Sequence, residues 1–161
     1  MATFGKINIG ALEDSQGVER IRACRFQLAE AGTVTNVSVY INGGGRNCWA
    51  AVYGDNAGAP SDLKAESGVV VVGAYAWYDF ALNCVLATGW YWLCFRISSA
   101  WWKYDGGVAN QEARKAAVNF PNPFGAVDGY QAREMSIHAD YTPVGGGYPA
   151  PSLAKIIGRC L

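Results

Sequence analysis

The sequence predicts an all-β protein: an antiparallel two-sheet β-sandwich, jelly-roll-like, of about eight strands, with a short C-terminal tail. Three observations carry that expectation. Apolar and polar residues alternate over short stretches bounded by glycine, proline, asparagine and serine, the pattern of half-buried strands joined by turns. No long amphipathic helix interrupts them. The chain has 161 residues, 51% of them hydrophobic, enough for one domain with a sizeable core.

Residues 4–10 read as a short strand with Ile7 and Ile9 on one face, and 11–17 as a polar loop. In 19–28, Cys24, Phe26 and Leu28 alternate with polar positions, and 30–32 is a turn. Residues 33–41 form a third strand with Val37, Val39 and Ile41 inward. The Asn-Gly-Gly-Gly-Arg-Asn run at 42–47 is a loop, because glycine accepts positive φ and offers no packing. Strands are expected at 48–53, 63–72 and 75–82, with a long loop of turn formers at 54–61.

The dominant stretch is 89–97, Gly-Trp-Tyr-Trp-Leu-Cys-Phe-Arg-Ile. Tyr91, Leu93, Phe95 and Ile97 fall on one face of a strand; Trp90, Trp92, Cys94 and Arg96 fall on the other. Such a strand is central and covered on both faces, or turns one face outward to bind. A short aromatic strand follows at 101–105. The region 106–129 is the least regular: 110–117 suits one or two helical turns, and Pro121-Asn122-Pro123 forbids regular structure. A last strand spans 132–141, with Met135, Ile137 and Ala139 on one side.

Residues 1–142 thus make the sandwich and 143–151 a Pro/Gly linker. The tail, 152–161, presents Leu153, Ile156 and Ile157 on one face of a helical turn that Ser152 can cap, with Cys160 beside them. Ten residues do not fold alone, so this patch is expected to dock, on its own domain or on a neighbouring subunit.

Composition narrows the function classes. Thirteen basic residues balance thirteen acidic ones, which gives no basic patch for a nucleic-acid partner. No apolar run reaches the length of a membrane helix, so no membrane insertion is expected. The start, Met1-Ala2-Thr3-Phe4-Gly5, lacks the basic and apolar regions of a secretory signal. Five cysteines show no CxxC pair and hence no zinc pattern; Cys24 and Cys94 read as buried, while Cys48 and Cys84 are placed to pair under oxidising conditions.

Few residues suggest chemistry. His138 is the single histidine, with Ser136 and Asp140 two positions away on one strand, a spacing that does not build a catalytic triad. No metalloprotease, P-loop or dinucleotide motif occurs, so no enzyme and no cofactor are expected. Calcium is the one metal suggested, through the oxygen ligands of Asp55, Asn56 and Asp62. The sharper feature is aromatic: Trp77, Trp90, Trp92, Trp101, Trp102 and Tyr104 recur along three successive segments. Indole faces stack on sugar C–H faces, and also fill cores and subunit interfaces. Trp101 and Trp102 are neighbours on a strand, so they face opposite ways.

The segments 21–26, 50–61, 89–93, 119–125 and 135–141 together resemble a lectin-like, jelly-roll β-sandwich module of archaeal, bacterial and viral surface proteins. The resemblance covers about residues 3–142 and implies a non-catalytic module on a virion or extracellular surface. Low charge, the aromatics and the tail lead to the primary expectation: a self-assembling subunit of a virus particle (decoration or spike) or an extracellular filament, whose partner is itself or another subunit. The alternative is a carbohydrate-binding module that attaches to cell-surface glycans through surface tryptophans.

Overall fold

The computed structural model describes residues 1–145, whose regular structure is entirely strand. In chain order the strands are β1 (Ala2–Gly5), β2 (Leu12–Gln16), β3 (Arg20–Leu28), β4 (Gly32–Asn42), β5 (Arg46–Asn56), β6 (Ala59–Glu66) and β7 (Val70–Val72). The second half adds β8 (Ala76–Leu86), β9 (Gly89–Ile97), β10 (Ala100–Gly106), β11 (Glu112–Ala116), β12 (Gly129–Gln131), β13 (Arg133–Met135) and β14 (Ile137–Pro143).

They form two antiparallel sheets packed against each other. The first runs β1-β14-β4-β10-β13, with β2 paired to β10 and β8 to β4. The second runs β12-β11-β3-β9-β5-β6, with β7 paired to β5. Alternation decides which residues meet between them: Phe26 and Leu28 of β3, Val37 and Ile41 of β4, Leu93 and Phe95 of β9, and Trp102 of β10 share one core. Each large apolar side chain withdrawn there contributes about 1.5–3 kcal/mol.

The sandwich expectation holds, with fourteen strands among the described residues where about eight were expected. Residues 11–17 are not all loop, because polar β2 pairs along β10 from Ala100↔Gln16 to Tyr104↔Leu12. The 110–117 segment is not helical: Glu112–Ala116 is a strand in register with β3, so sheet pairing overrides the helix preference of Glu, Ala, Arg and Lys. The long loop at 54–61 is a two-residue hairpin turn between β5 and β6, with Ala57 at φ 51° and Gly58 at φ 87°. The 63–72 segment divides into β6 and β7, the last strand breaks at Ser136, and the first ends at Gly5 rather than at residue 10.

β9 lies between β3 and β5 and is covered on both faces, except at its Trp90 end. A second apolar cluster sits on its far side, where Phe120 and Phe124 close over Tyr53, Trp92 and Cys94. Phe124 meets Tyr53 edge-on at 5.0 Å between ring centroids, and the Tyr53 hydroxyl donates to the Pro121 carbonyl at 2.7 Å. The irregular 117–128 segment is therefore a lid of fixed structure over the second sheet. Cys48 and Cys84 do not pair; they and Cys24 and Cys94 are free thiols. Burial pushes the Cys48 thiol up to about 12 and that of Cys84 to about 11, which keeps both protonated. No helix of the described residues is long and apolar enough to cross a membrane.

The whole tail, 152–161, with Leu153, Ile156, Ile157 and Cys160, lies outside the described residues, as does the 146–151 part of the linker.

Candidate ligand-binding cleft

At one end of the second sheet its outer face is left uncovered by the 117–128 segment. There β3, β9 and the β5–β6 hairpin frame a cleft of about 470 Å³, closed on the other side by the 108–111 loop. Trp90 forms one wall and is 44% exposed. Its indole is covered on one side by the Arg25 guanidinium, 4.3 Å from the ring centroid.

Arg25 is held from below. Its Nε and Nη2 donate to the two oxygens of Asp55 at 2.8 and 2.9 Å, a bidentate pair. Asp55 also accepts from Trp92 Nε1 at 2.8 Å and from the Gly58 N–H at 3.2 Å. Burial pushes the Asp55 carboxyl up, but the bonds from Arg25, Trp92 and Gly58 outweigh it and hold the group below the usual carboxylate range. Trp92 thus supports the site from beneath while Trp90 faces the opening. The facing loop is pinned by Gln111, whose carbonyl accepts from the Arg25 N–H at 2.9 Å and whose Oε1 accepts from the Val108 N–H at 3.0 Å. Asn110, at φ 60°, carries its amide on the exposed rim.

Ala57 and Asn110 are the two non-glycine residues with positive φ among the described residues, and both border this cleft. A left-handed conformation costs a residue with a Cβ roughly 1–2 kcal/mol. Strain of this kind persists where surrounding structure over-determines it, and it concentrates at binding sites.

The structure divides the expected aromatic cluster. Trp92 and Trp102 are buried, which corrects their assignment to a surface platform: Trp92 shares a face of β9 with Trp90 but lies beneath the lid, and alternation along β10 turns Trp102 into the core. Trp77 and Trp101 lie on the outer face of the first sheet, remote from Trp90 in the fold; there Trp77 packs edge-on against Tyr40 at 5.5 Å and His138 at 4.8 Å. Tyr104 is half-buried under the Arg133 guanidinium, 4.4 Å from its ring centroid.

Of the suggested calcium ligands, Asp55 is engaged by Arg25 and Trp92, and Asp62 by Lys64 at 2.6 Å. The described residues hold no group of three His, Cys, Asp or Glu side chains placed to share a metal. Around His138 the register across β14, β4 and β8 sets His138, Ser38 and Asp79 in a row. The Ser38 hydroxyl donates to Asp79 at 2.6 Å. The serine, not the imidazole, is therefore the middle member, unlike a relay in which histidine deprotonates serine. Ser136, expected beside His138, is buried and accepts from the Gly10 N–H at 2.8 Å.

The sequence did not point to Arg25, Asp55 as its anchor, Asn110 or Gln111 as neighbours of Trp90. Together with Trp90 they come from four separate segments, and the one available signal was that positions 25 and 90 fall on outward faces of their strands.

The cleft and the sandwich define a β-protein with a preformed aromatic-polar cleft. No family model matches the chain, and comparison with curated proteins and with solved structures found no match.

Proposed function

We propose that the sandwich is a non-catalytic carbohydrate-binding module and that the Trp90 cleft holds a sugar ring. The observation that carries the reading is the exposed Trp90 indole, stiffened by Arg25 on one side, at the wall of a cleft with amide and carboxylate groups around it. An indole offers a flat apolar face to sugar C–H groups, and Gln27, Asn110 and Glu134 offer hydrogen bonds to hydroxyls. The module would act by adhesion, on a cell-surface or virion-surface glycan, in keeping with the lectin-like resemblance.

Trp90→Ala tests this. The protein should stay folded, because the side chain is part-exposed, and glycan affinity on an array should fall at least tenfold. Intrinsic fluorescence of the unaltered protein should shift on adding the bound glycan, and the shift should vanish in the variant. A full glycan panel with no binding to the unaltered protein would reject the reading.

One feature favours the assembly reading, that of a particle or filament subunit. β8 is an eleven-residue strand that pairs, among the described residues, only with β4, and it has one charged residue, Asp79, and Val85 72% exposed. Long edges with little charge are templates for pairing with another chain. Native mass by light scattering should then show a defined oligomer that is lost in Val85→Lys or on deletion of residues 146–161. A monomer at all concentrations would remove this reading.

A further inference from the structure

We propose that a second cleft, at the β2–β3 turn and the neighbouring end of β11, binds a tetrahedral oxyanion: a sulfate or phosphate group. The cleft measures about 290 Å³ and is bordered by Arg20, Arg22 and Arg114. Arg22 and Arg114 are direct partners across the β3–β11 ladder, so both side chains leave the same face of the sheet. Arg20 lies two positions along that face. Like charges set opposite one another repel, and alternative registers or residues would avoid this cost.

The guanidiniums are built in, not loosely displayed. Arg22 is 4% exposed, donates to Glu112 at 2.8 Å and to Gln16 at 3.0 Å, and lies 4.5 Å from the Trp102 ring centroid. Arg114 lies along Gly129, where an added Cβ would stand 3.1 Å from its Nε. That Nε is buried and has no hydrogen-bond partner among the described residues. A buried donor without an acceptor adds to the cost of holding Arg114 here, and an anion in the cleft would offset the repulsion between the guanidiniums.

Charge balance points the same way. Among the described residues Asp14 is the one carboxylate that borders the cleft, and Arg133 already engages it. Glu112 serves Arg22. The four arginines at 20, 22, 114 and 133 therefore face two carboxylates, which leaves two positive charges in excess. Guanidiniums arriving from separate positions on two strands suit a group with oxygens in three directions better than a planar carboxylate. The cleft is larger than the group and opens to solvent, which leaves room for its carrier; a sulfate ester on a glycan and a phosphomonoester share the chemistry required.

The test uses the full chain with sodium sulfate and sodium phosphate, against sodium chloride and sodium acetate at matched ionic strength. Calorimetric titration should give saturable sulfate or phosphate binding. At tenfold the dissociation constant the Tm should rise by about 4 °C over chloride. Arg114→Gln and Arg20→Gln, both part-exposed and outside the core, should each weaken binding at least tenfold without lowering the Tm in chloride. Trp90→Ala should leave it unchanged, which separates this site from the sugar cleft. Comparing a sulfated monosaccharide with a phosphomonoester then identifies the carrier, by whichever binds more tightly. Absence of saturable binding by the inorganic ions, or binding that survives both arginine substitutions, overturns the proposal.

Discussion

Glu112→Ala is expected to destabilise the sandwich by about 3–5 kcal/mol, because it leaves the Arg22 guanidinium charged and buried without its partner. Glu112 is 1% exposed and sits between Arg22, at 2.8 Å, and Arg133, at 3.9 Å. Burial pushes the Glu112 carboxyl above its usual range and the Arg22 guanidinium below its own, and in neither case does the partner's attraction restore the balance. The pair is costly to hold and costlier to break. The double replacement Arg22→Met with Glu112→Leu should therefore recover most of the loss in urea denaturation. A double variant as unstable as Glu112→Ala would show that packing, not charge, is the source. The pH dependence has a definite sign. A carboxyl raised in the folded state contributes stability that is full below its unfolded pKa and is lost as pH rises through its folded pKa. The stability of the unaltered protein relative to Glu112→Gln should accordingly increase as pH is lowered from 7 toward 4. A difference that stays flat over that range would contradict the assignment.

Phe124→Ala should cost a further about 3–5 kcal/mol, through a cavity beneath the 117–128 lid. Phe124 is fully buried, meets Tyr53 edge-on, and its N–H donates to the Ser61 carbonyl at 2.7 Å. The lid has no strand ladder of its own; Phe120 and Phe124 supply its largest apolar contacts, and hydrogen bonds through Pro121, Asn122, Phe124 and Asp128 tie it to the sheet beneath. Hydrogen exchange should show protection lost in 117–128 together with a lower global urea midpoint. Lost protection there with an unchanged midpoint would mean that the lid opens as a separate unit and adds nothing to the fold.

Much of the sandwich was legible because alternation reports burial directly. In residues 20–28 and 32–42 alternation named an inward set, and in 89–97 it separated the two faces without showing how each was covered. β2, Leu-Glu-Asp-Ser-Gln, could not, since its strand state comes from β10 beside it and not from its own composition. β11, Glu-Ala-Arg-Lys-Ala, looks helical for the same reason. Alternation also showed that Trp101 and Trp102 face opposite ways without showing which way was inward, so a buried and an exposed tryptophan were grouped together. The sites were least legible. Arg25 and Asp55 are 30 positions apart, and Arg22 and Glu112 are 90 apart. Only strand order brings such pairs together.

The pairing of β1 with β14 has a kinetic consequence. Ala2 stands opposite Tyr141, and β14 in turn fills the place between β1 and β4. A chain emerging from its amino end can assemble β3, β4, β5, β8 and β9, but the first sheet stays open until residues 137–143 are made. Until then β4 exposes one flank along most of its length to other nascent chains. Folding of this kind is dominated by contacts far apart in sequence and belongs to the millisecond-to-second class, roughly. Synthesis that stalls before residue 137 would leave a sheet with an unfilled slot, one that a β14 from another molecule fits as well as its own.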